Sequence, residues 1–347
     1  MGTRPIQVGL LGAGEVAGQY LPNLLASDQI ELVGVGDLDH VGAERLAQVH
    51  HIPKVFPGEE ILNDKGIDLI VNLTPIPAHF DTSLRILEAG KHLYSEKPLA
   101  LSAEKGSVLL ATAERMGLSI GCAPDTVLGV GFQTARRALE RGVIGNPLSA
   151  SASMLRPLPV LNRHRTGAIP LFNMAPYYLS ALINLFGPVT SVAWMSRLCR
   201  VPTPSDQRPI FASGSLRFKD DVLCDLTLRW GGTPSGEVPV LKVFGTQGVL
   251  CFPNPDTFSA GVRWRRHGEG SWRWMSEEHS PDGRGVNRRG VGVADMAQAI
   301  RQGRTPRAAA DVALHVVEIV EKLSLPGPGN DASGGWLQTG CDKPALL

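Results

Sequence analysis

The sequence predicts an α/β protein in which an N-terminal doubly wound parallel sheet precedes a C-terminal α+β domain with a large open, mainly antiparallel sheet. In the first third of the chain, continuously apolar strand segments alternate with helical segments, as in a parallel sheet covered on both faces. Beyond residue 124, strand segments follow one another through short turns. A chain of 347 residues is too long for one core. Two domains are therefore predicted, at 1–123 and 124–347.

Strands and helices alternate along the first domain. Each strand is a short run rich in Val, Ile and Leu, and each helix has apolar residues at helical spacing. Gly90 and Gly117 follow two of the helices and favour helix ends there. The predicted strands are 6–12, 31–37, 69–75, 92–98 and 118–123, and the predicted helices are 15–27, 41–50, 80–89 and 103–115.

Most predicted elements of the second domain are strands. The turns at 219–221 and 245–248 are short enough for hairpins, which favours antiparallel pairing. The predicted strands are 148–155, 189–198, 211–219, 221–230, 240–245, 249–252 and 262–266, and the predicted helices are 130–141, 174–186, 293–302 and 308–323.

Composition and charge exclude several classes of function. A net charge of +1 gives no electrostatic reason to expect nucleic acid or a membrane as partner. The 9 histidines form no HxxxH or HExxH pattern, so no metal site is expected. The 5 cysteines include no CxxC pair, as is usual in a reducing cytosol. The apolar stretch 6–13 is too short for a signal peptide, and a cytoplasmic location is expected.

A glycine fingerprint lies between the first strand and the first helix. It reads Gly12-x-Gly14-x-x-Ala17, and Glu15 and Val16 within it are also expected to bind the cofactor. Gly12 permits a tight turn, Gly14 lets the backbone approach a pyrophosphate, and Ala17 lets the helix pack closely on the strand. The helix N-terminus then offers amide donors to the phosphates. This context predicts a dinucleotide-binding Rossmann domain.

The end of the second strand favours NAD over NADP. Asp37 can accept hydrogen bonds from both ribose hydroxyls of the adenosine, and its charge repels a 2′-phosphate. Leu38, which is also expected to contact the cofactor, and Asp39 follow, so no Arg or Lys is present there to compensate. The expected cofactor is NAD.

Two further motifs, SEKPLA at 95–100 and LTPIPAHF at 73–80, accompany the fingerprint. With them the chain resembles the glucose–fructose oxidoreductase/inositol dehydrogenase (Gfo/Idh/MocA) family over nearly its whole length. The resemblance implies a Rossmann domain joined to an open-faced sheet domain, with nicotinamide and substrate meeting at the cleft. It also implies oxidation or reduction of a carbinol or keto carbon in sugars, inositols or related polyols.

The resemblance assigns roles to residues of both motifs. Lys97 would contact cofactor and substrate, and a cis peptide is implied at Lys97-Pro98. Apart from the resemblance, a lysine near a nicotinamide can orient a substrate hydroxyl and lower its pKa. Further cofactor contacts are expected from Leu73, Thr74, Pro75, His79, Glu96 and Pro98.

The chain departs from the family at the proton-transfer element. Relatives have an Asp followed four residues later by a His, and the matching positions here are Asn173 and Tyr177. An amide cannot accept a proton at neutral pH, so Asn173 would only orient substrate. Tyr177, or Tyr178 beside it, could act as acid or base if a neighbouring positive charge depressed a pKa of ~10.

The segment before that helix is a second departure, because relatives have a longer, glycine-rich loop there. Here Asn162, Arg163, His164 and Arg165 lie where substrate would be covered. His164 could replace the missing proton carrier, or the segment could be a solvated loop. Two arginines would suit an acidic or phosphorylated substrate.

The sequence therefore predicts an NAD-dependent oxidoreductase acting on CH–OH groups. Two alternatives remain open: a redox-neutral epimerase or lyase that regenerates its NAD, and a non-catalytic NAD-binding homologue. A large open sheet must be covered, so a homodimer or homotetramer is expected.

Overall fold

The computed structural model describes most of the chain and divides it into two compact units. Unit 1 comprises residues within 1–128 and 287–317, and unit 2 residues within 129–286 and 318–346. Each unit is described by itself. The described residues are 4–156, 170–200, 207–230, 240–252, 254–259, 261–275, 287–324 and 337–338.

Unit 1 is built on a parallel sheet, as the sequence predicts. Within the described residues this sheet has six strands in the order β3-β2-β1-β4-β5-β6, which is the strand order of a Rossmann domain. Its strands are β1 (Ile6–Leu11), β2 (Ile30–Asp37), β3 (Lys54–Pro57), β4 (Leu69–Asn72), β5 (His92–Ser95) and β6 (Ile120–Cys122). The helices among them are α1 (Glu15–Leu25), α2 (His40–His50), α3 (His79–Glu88) and α4 (Ala103–Met116).

Strand β3 is an element that the sequence interpretation missed. It has only four residues, none of them buried, and it ends at a proline. Edge strands of this kind need no continuous apolar run, because their faces are partly exposed to solvent at the border of the sheet. Apolar patterning therefore gives no signal for β3.

The contacts also place a C-terminal segment, 287–317, in unit 1. Helix α7 (Val291–Gln302) contributes Val293, Met296 and Ala297 to the same apolar core as Tyr20 and Leu24 of α1. This differs from the sequence-based division after residue 123, which assigned everything beyond that point to the second domain. The difference arises because the apolar face of α7 packs on residues of unit 1 that are remote in sequence, among them Tyr20 and Leu24, which precede it by more than 250 positions.

Unit 2 is α+β, and its sheet is mainly antiparallel. Within the described residues the sheet has nine strands in the order β14-β13-β12-β11-β7-β10-β9-β8-β15, and only the β10–β7 pair is parallel. The strands are β7 (Pro147–Arg156), β8 (Val189–Arg200), β9 (Gln207–Phe218), β10 (Leu223–Trp230), β11 (Val240–Gly245), β12 (Gly248–Phe252), β13 (Arg263–Arg266), β14 (Arg273–Trp274) and β15 (Leu337–Gln338). The remaining α-helices of the described residues are α5 (Val130–Glu140), α6 (Pro170–Phe186) and α8 (Ala310–Ser324), and residues of α8 up to Val317 belong to unit 1.

The two faces of this sheet differ in composition. One face is apolar and buried, and helix α6 packs on it against β9 and β10. The opposite face has small polar residues at its centre, including a Ser213–Thr227 hydroxyl contact of 3.1 Å and a Ser215–Asp225 bond of 2.9 Å. No helix in the described ranges is long and apolar enough to cross a membrane.

Candidate cofactor and catalytic site

The fingerprint loop of unit 1 requires its first glycine. Gly12 has a φ of +111°, and a Cβ there would lie 2.8 Å from the carbonyl of Leu73. Gly14 is the N-cap of α1 and provides no side-chain cap, and a Cβ there would meet nothing within 4 Å. The loop therefore leaves open space beside the amides that begin α1.

These features fit a dinucleotide pyrophosphate. The loop follows β1, whose neighbours β2 and β4 lie on opposite sides of it, so the loop lies where the strand order reverses. Glu15 and Val16 are exposed in the first turn of α1, and Ala17 is fully buried against the sheet. Free amides and the positive end of the helix dipole at this point favour an anion.

Asp37 lies at the end of β2 and contacts the fingerprint loop. Its Oδ2 accepts the Ala13 amide at 2.6 Å, and its Oδ1 accepts the Asp39 amide at 2.8 Å. An ionised carboxylate has about four acceptor positions. Two of these acceptor positions on Asp37 remain after the bonds to the Ala13 and Asp39 amides. Leu38 is 93% exposed beside it.

Asn72 organises the loop that follows β4, and the sequence interpretation did not identify it. Its Oδ1 accepts both the amide and the hydroxyl of Thr74, at 3.1 and 2.7 Å. Its Nδ2 donates to Ser83 Oγ at 3.0 Å. The sequence feature that could have identified Asn72 is a side-chain amide at the end of an otherwise apolar, buried strand. Pro75, which follows Thr74 in this loop, is exposed.

His79, the first residue of α3, connects two loops. Its Nδ1 lies 2.8 Å from the Pro98 carbonyl oxygen, and its Nε2 lies 2.8 Å from the Thr74 carbonyl oxygen. The side chain is buried, and burial lowers its pKa, opposed by these two carbonyls and by Glu96. In either tautomer one ring nitrogen donates to one of the two loops. Both nitrogens of His79 therefore face protein acceptors.

Lys97 follows β5 and is half-buried. The Lys97-Pro98 peptide is cis, as the family resemblance implied. The Lys97 amide donates to Glu96 Oε2 at 3.0 Å, and Tyr20 donates its phenol proton to Glu96 Oε1 at 2.7 Å. The sequence interpretation identified Glu96 and Lys97 but not Tyr20.

A buried acid, Asp125, is also close to β5. Its Oδ2 accepts the amides of Gly290 and Gly292 at 2.9 and 3.1 Å. Burial raises the pKa of Asp125 to about 6. The Tyr94 phenol oxygen is buried in unit 1, and no hydrogen-bond partner is found for it among the described residues. Neither residue was identified from the sequence.

Two segments of the chain match models of one known protein family. Residues 6–123 match the family model described as the oxidoreductase family, NAD-binding Rossmann fold (Gfo/Idh/MocA), and residues 132–251 match the Gfo/Idh/MocA C-terminal domain. The chain belongs to the Gfo/Idh/MocA family. It is therefore an oxidoreductase-family protein whose first unit is an NAD(P)-binding Rossmann domain.

The curated relatives differ widely from this chain in sequence. An uncharacterized protein of Saccharomyces cerevisiae is 26% identical over 71% of this chain and 73% of its own length. A scyllo-inositol 2-dehydrogenase (NAD(+)) of Bacillus subtilis is 30% identical over 41% of this chain and 42% of its own length. Alignments with seven curated relatives, that enzyme among them, span only 42–57% of those relatives.

Solved structures match over more of the chain. A 3-ketoreductase from Actinomadura kijaniata in complex with NADP has a TM-score of 0.75 and 22% identity to this chain. That match covers 92% of this chain and 97% of the other. At this identity the likeness shows the fold alone.

Within this Gfo/Idh/MocA protein, α6 carries the predicted proton-transfer residues. Asn173 and Tyr177 are four residues apart, which places them on one face of the helix. Asn173 is half-buried, Tyr177 is 6% exposed, and Tyr178 is fully buried. These residues belong to unit 2 and Lys97 to unit 1. Asn162, Arg163, His164 and Arg165 lie outside the described residues.

Proposed function

We propose that this protein is an NAD-dependent oxidoreductase acting on a carbinol or keto carbon of a sugar, inositol or related polyol. The observation that carries the proposal is the position of Lys97. Lys97 lies in the segment that follows β5, at the carboxyl edge of the sheet. The Gly12–Gly14 loop follows β1 at the same edge. Carboxyl ends of parallel strands meet at one edge, which is where α/β folds bind ligands.

The cofactor preference follows from Asp37. The carboxylate keeps two acceptor positions for ribose hydroxyls after bonding to Ala13 and Asp39. The exposed neighbour Leu38 offers no positive charge to a 2′-phosphate. Relatives of this chain bind NAD or NADP according to their names. Asp37 therefore favours NAD here.

We assign the roles in proton transfer as the family resemblance implies them. Bound NAD would supply the hydride acceptor. The Lys97 ammonium would bind the substrate hydroxyl and favour its ionised form. Tyr177 would carry the proton that the hydroxyl releases, and Asn173 would orient a second hydroxyl. His164 remains a candidate for the proton-carrying role.

The substrate class rests on the chemistry of these groups and on the relatives. Amide, phenol and ammonium groups together donate and accept hydrogen bonds, as a polyhydroxy substrate requires. The Bacillus subtilis relative acts on scyllo-inositol by its name. An uncharged polyol is therefore the first substrate to test.

The first experiment is to record the absorbance and fluorescence of the purified protein and then to titrate NAD and NADP separately. Reversible binding of NAD, followed by NADH production with scyllo-inositol, myo-inositol or an aldose, would support the proposal. Tightly retained NAD(H) without net NADH production would favour the redox-neutral alternative. Failure to bind either nucleotide would reject the proposal.

A further inference from the structure

A buried hydrogen-bonded path connects the fingerprint helix with the backbone of Lys97. Tyr20 of α1 is fully buried, and its phenol donates to Glu96 Oε1 at 2.7 Å. The second oxygen of Glu96 accepts the Lys97 amide at 3.0 Å. Tyr20 and Glu96 are 76 positions apart in the sequence.

The environment of Tyr20 keeps its phenol protonated. Burial and the neighbouring Glu96 charge raise the pKa of Tyr20 well above its ordinary value, so its phenol remains a donor at neutral pH. Glu96 is 9% exposed, and its own amide donates to the Asn72 carbonyl at 3.0 Å. A carboxylate at this depth is costly unless donors satisfy it. Tyr20 and the Lys97 amide are two such donors.

We propose that Tyr20 is a positioning residue that fixes Glu96 and, through Glu96, the backbone from which the Lys97 side chain extends. Helix α1 begins at the Gly12–Gly14 loop, so the Tyr20–Glu96 hydrogen bond also links the helix that follows the fingerprint loop to the segment that contains Lys97. The catalytic half of this inference rests on the role of Lys97 under the proposed function. A displacement of about 1 Å at a reacting group can cost ~100-fold in rate.

The chain offers a matched control in Tyr94. Tyr94 and Tyr20 are both fully buried in unit 1, and Tyr94 precedes Glu96 by only two positions. The Tyr94 phenol oxygen has no hydrogen-bond partner within the described part of the chain. Tyr94→Phe therefore deletes the same atom as Tyr20→Phe but breaks no bond of this path. Effects common to both variants report only the loss of a buried hydroxyl.

The first test follows amide exchange at Lys97 by hydrogen–deuterium exchange in the protein without substrate. We expect exchange of the Lys97 amide to be roughly tenfold faster in Tyr20→Phe, because Glu96 loses its orienting donor. We expect a change of less than about twofold in Tyr94→Phe. Equal exchange rates in the two variants would overturn the proposal. Circular dichroism at the assay temperature shows whether both variants are folded.

The second test separates positioning from binding. With NAD and scyllo-inositol, or whichever polyol the wild-type protein oxidises, kcat should fall about 10- to 100-fold in Tyr20→Phe. The KM and the NAD dissociation constant should change less than about threefold. Unchanged kcat in Tyr20→Phe, or an equal loss in Tyr94→Phe, would reject the role in catalysis.

A double-mutant cycle tests the path itself. Glu96→Gln keeps an acceptor for Tyr20, but its amide group can no longer accept the Lys97 amide at the second position. If both residues act through one path, the double variant should lose no more activity than the more impaired single variant. Additive losses would contradict a common path. If no polyol is oxidised at all, the proposed function fails, and amide exchange still decides the role of Tyr20.

Discussion

The Ala13 amide donates to Asp37 Oδ2 across 2.6 Å, so the end of β2 and the fingerprint loop share a hydrogen bond. The bond directs one carboxylate oxygen toward the loop. Acceptor positions remain on both oxygens, because each accepts one of the two amide bonds. The residue that would select the cofactor is thus also a structural element of the loop that would bind the pyrophosphate.

Asp37→Ser combined with Leu38→Arg should reverse the cofactor preference. The serine removes the charge that repels a 2′-phosphate, and the arginine adds a guanidinium that can bind it. We expect NAD affinity to fall roughly 10-fold or more and NADP affinity to rise by a similar factor, as one charged hydrogen bond contributes. Fluorescence titration with each cofactor measures the dissociation constants of NAD and NADP. Tighter binding of NADP than NAD by the wild-type protein would contradict the assignment.

Lys97→Met should abolish turnover and leave NAD binding nearly intact. Methionine preserves the length and apolar stem of the side chain but removes the ammonium that, under the proposed function, would orient the substrate hydroxyl. We expect kcat/KM to fall at least about 100-fold, as for loss of a group in general acid–base chemistry. Lys65→Met, at an exposed position of the same unit, is the control and should behave as wild type. Retained turnover in Lys97→Met would show that the lysine is not catalytic.

Local sequence patterns predicted the parallel sheet of unit 1 because its central strands are continuous apolar runs separated by amphipathic helices. The same reasoning could not identify β3, which is half-exposed and ends at Pro57. It also could not place α7 in unit 1. The amphipathic pattern of this helix does not show which unit buries its apolar face, and its partners Tyr20 and Leu24 are remote in sequence.

The candidate site was predictable where a short motif carries the chemistry. Gly12, Gly14, Asp37 and Lys97 each lie next to a strand end that could be recognised from the sequence. Tyr20 was not predictable, because a tyrosine on the buried face of α1 is typical of a core and its acceptor is 76 positions away. Hydrogen bonds of that range depend on the folded chain and leave no local pattern.

Tyr177→Phe should strongly reduce turnover if this phenol carries the proton. We expect kcat to fall about 100- to 10,000-fold, the usual contribution of a general acid or base. Tyr178→Phe is the informative comparison, because the neighbouring phenol is fully buried on another face of α6. Steady-state kinetics at several pH values would distinguish them. Loss of turnover in Tyr178→Phe alone would transfer the role to that residue.

The polar face of the nine-stranded sheet is expected to pair with a second copy of the chain. Met195 is 65% exposed in β8, and Leu223 at the start of β10 is 42% exposed. Met195→Glu should shift the protein toward monomer, because it would bury an unpaired charge in such an interface. Val49→Glu is a control of equal exposure, 65%, in unit 1. Light scattering after size-exclusion chromatography measures the mass. A monomeric wild-type protein would contradict the expectation.

The pH dependence of stability should contain a contribution from Asp125. Burial raises its pKa to about 6, although the amides of Gly290 and Gly292 and the charge of Arg289 oppose the shift. The charge of Glu96 adds to the shift. The folded protein thus keeps a proton on Asp125 at pH values where the unfolded chain has already released it.

Asp125→Asn should remove this contribution, because the amide oxygen can still accept hydrogen bonds and the side chain no longer titrates. A group whose pKa is higher in the folded than in the unfolded state does not lower the free energy of unfolding at low pH, because it is protonated in both states. It lowers that free energy as the pH rises from about 4 to about 6. Through this group the wild-type free energy of unfolding should fall by roughly 3 kcal/mol across that interval. Relative to wild type, Asp125→Asn should therefore be less stable near pH 4 than near pH 7. Urea unfolding of both proteins at several pH values measures the difference, and parallel curves would show that Asp125 does not retain its proton in the fold.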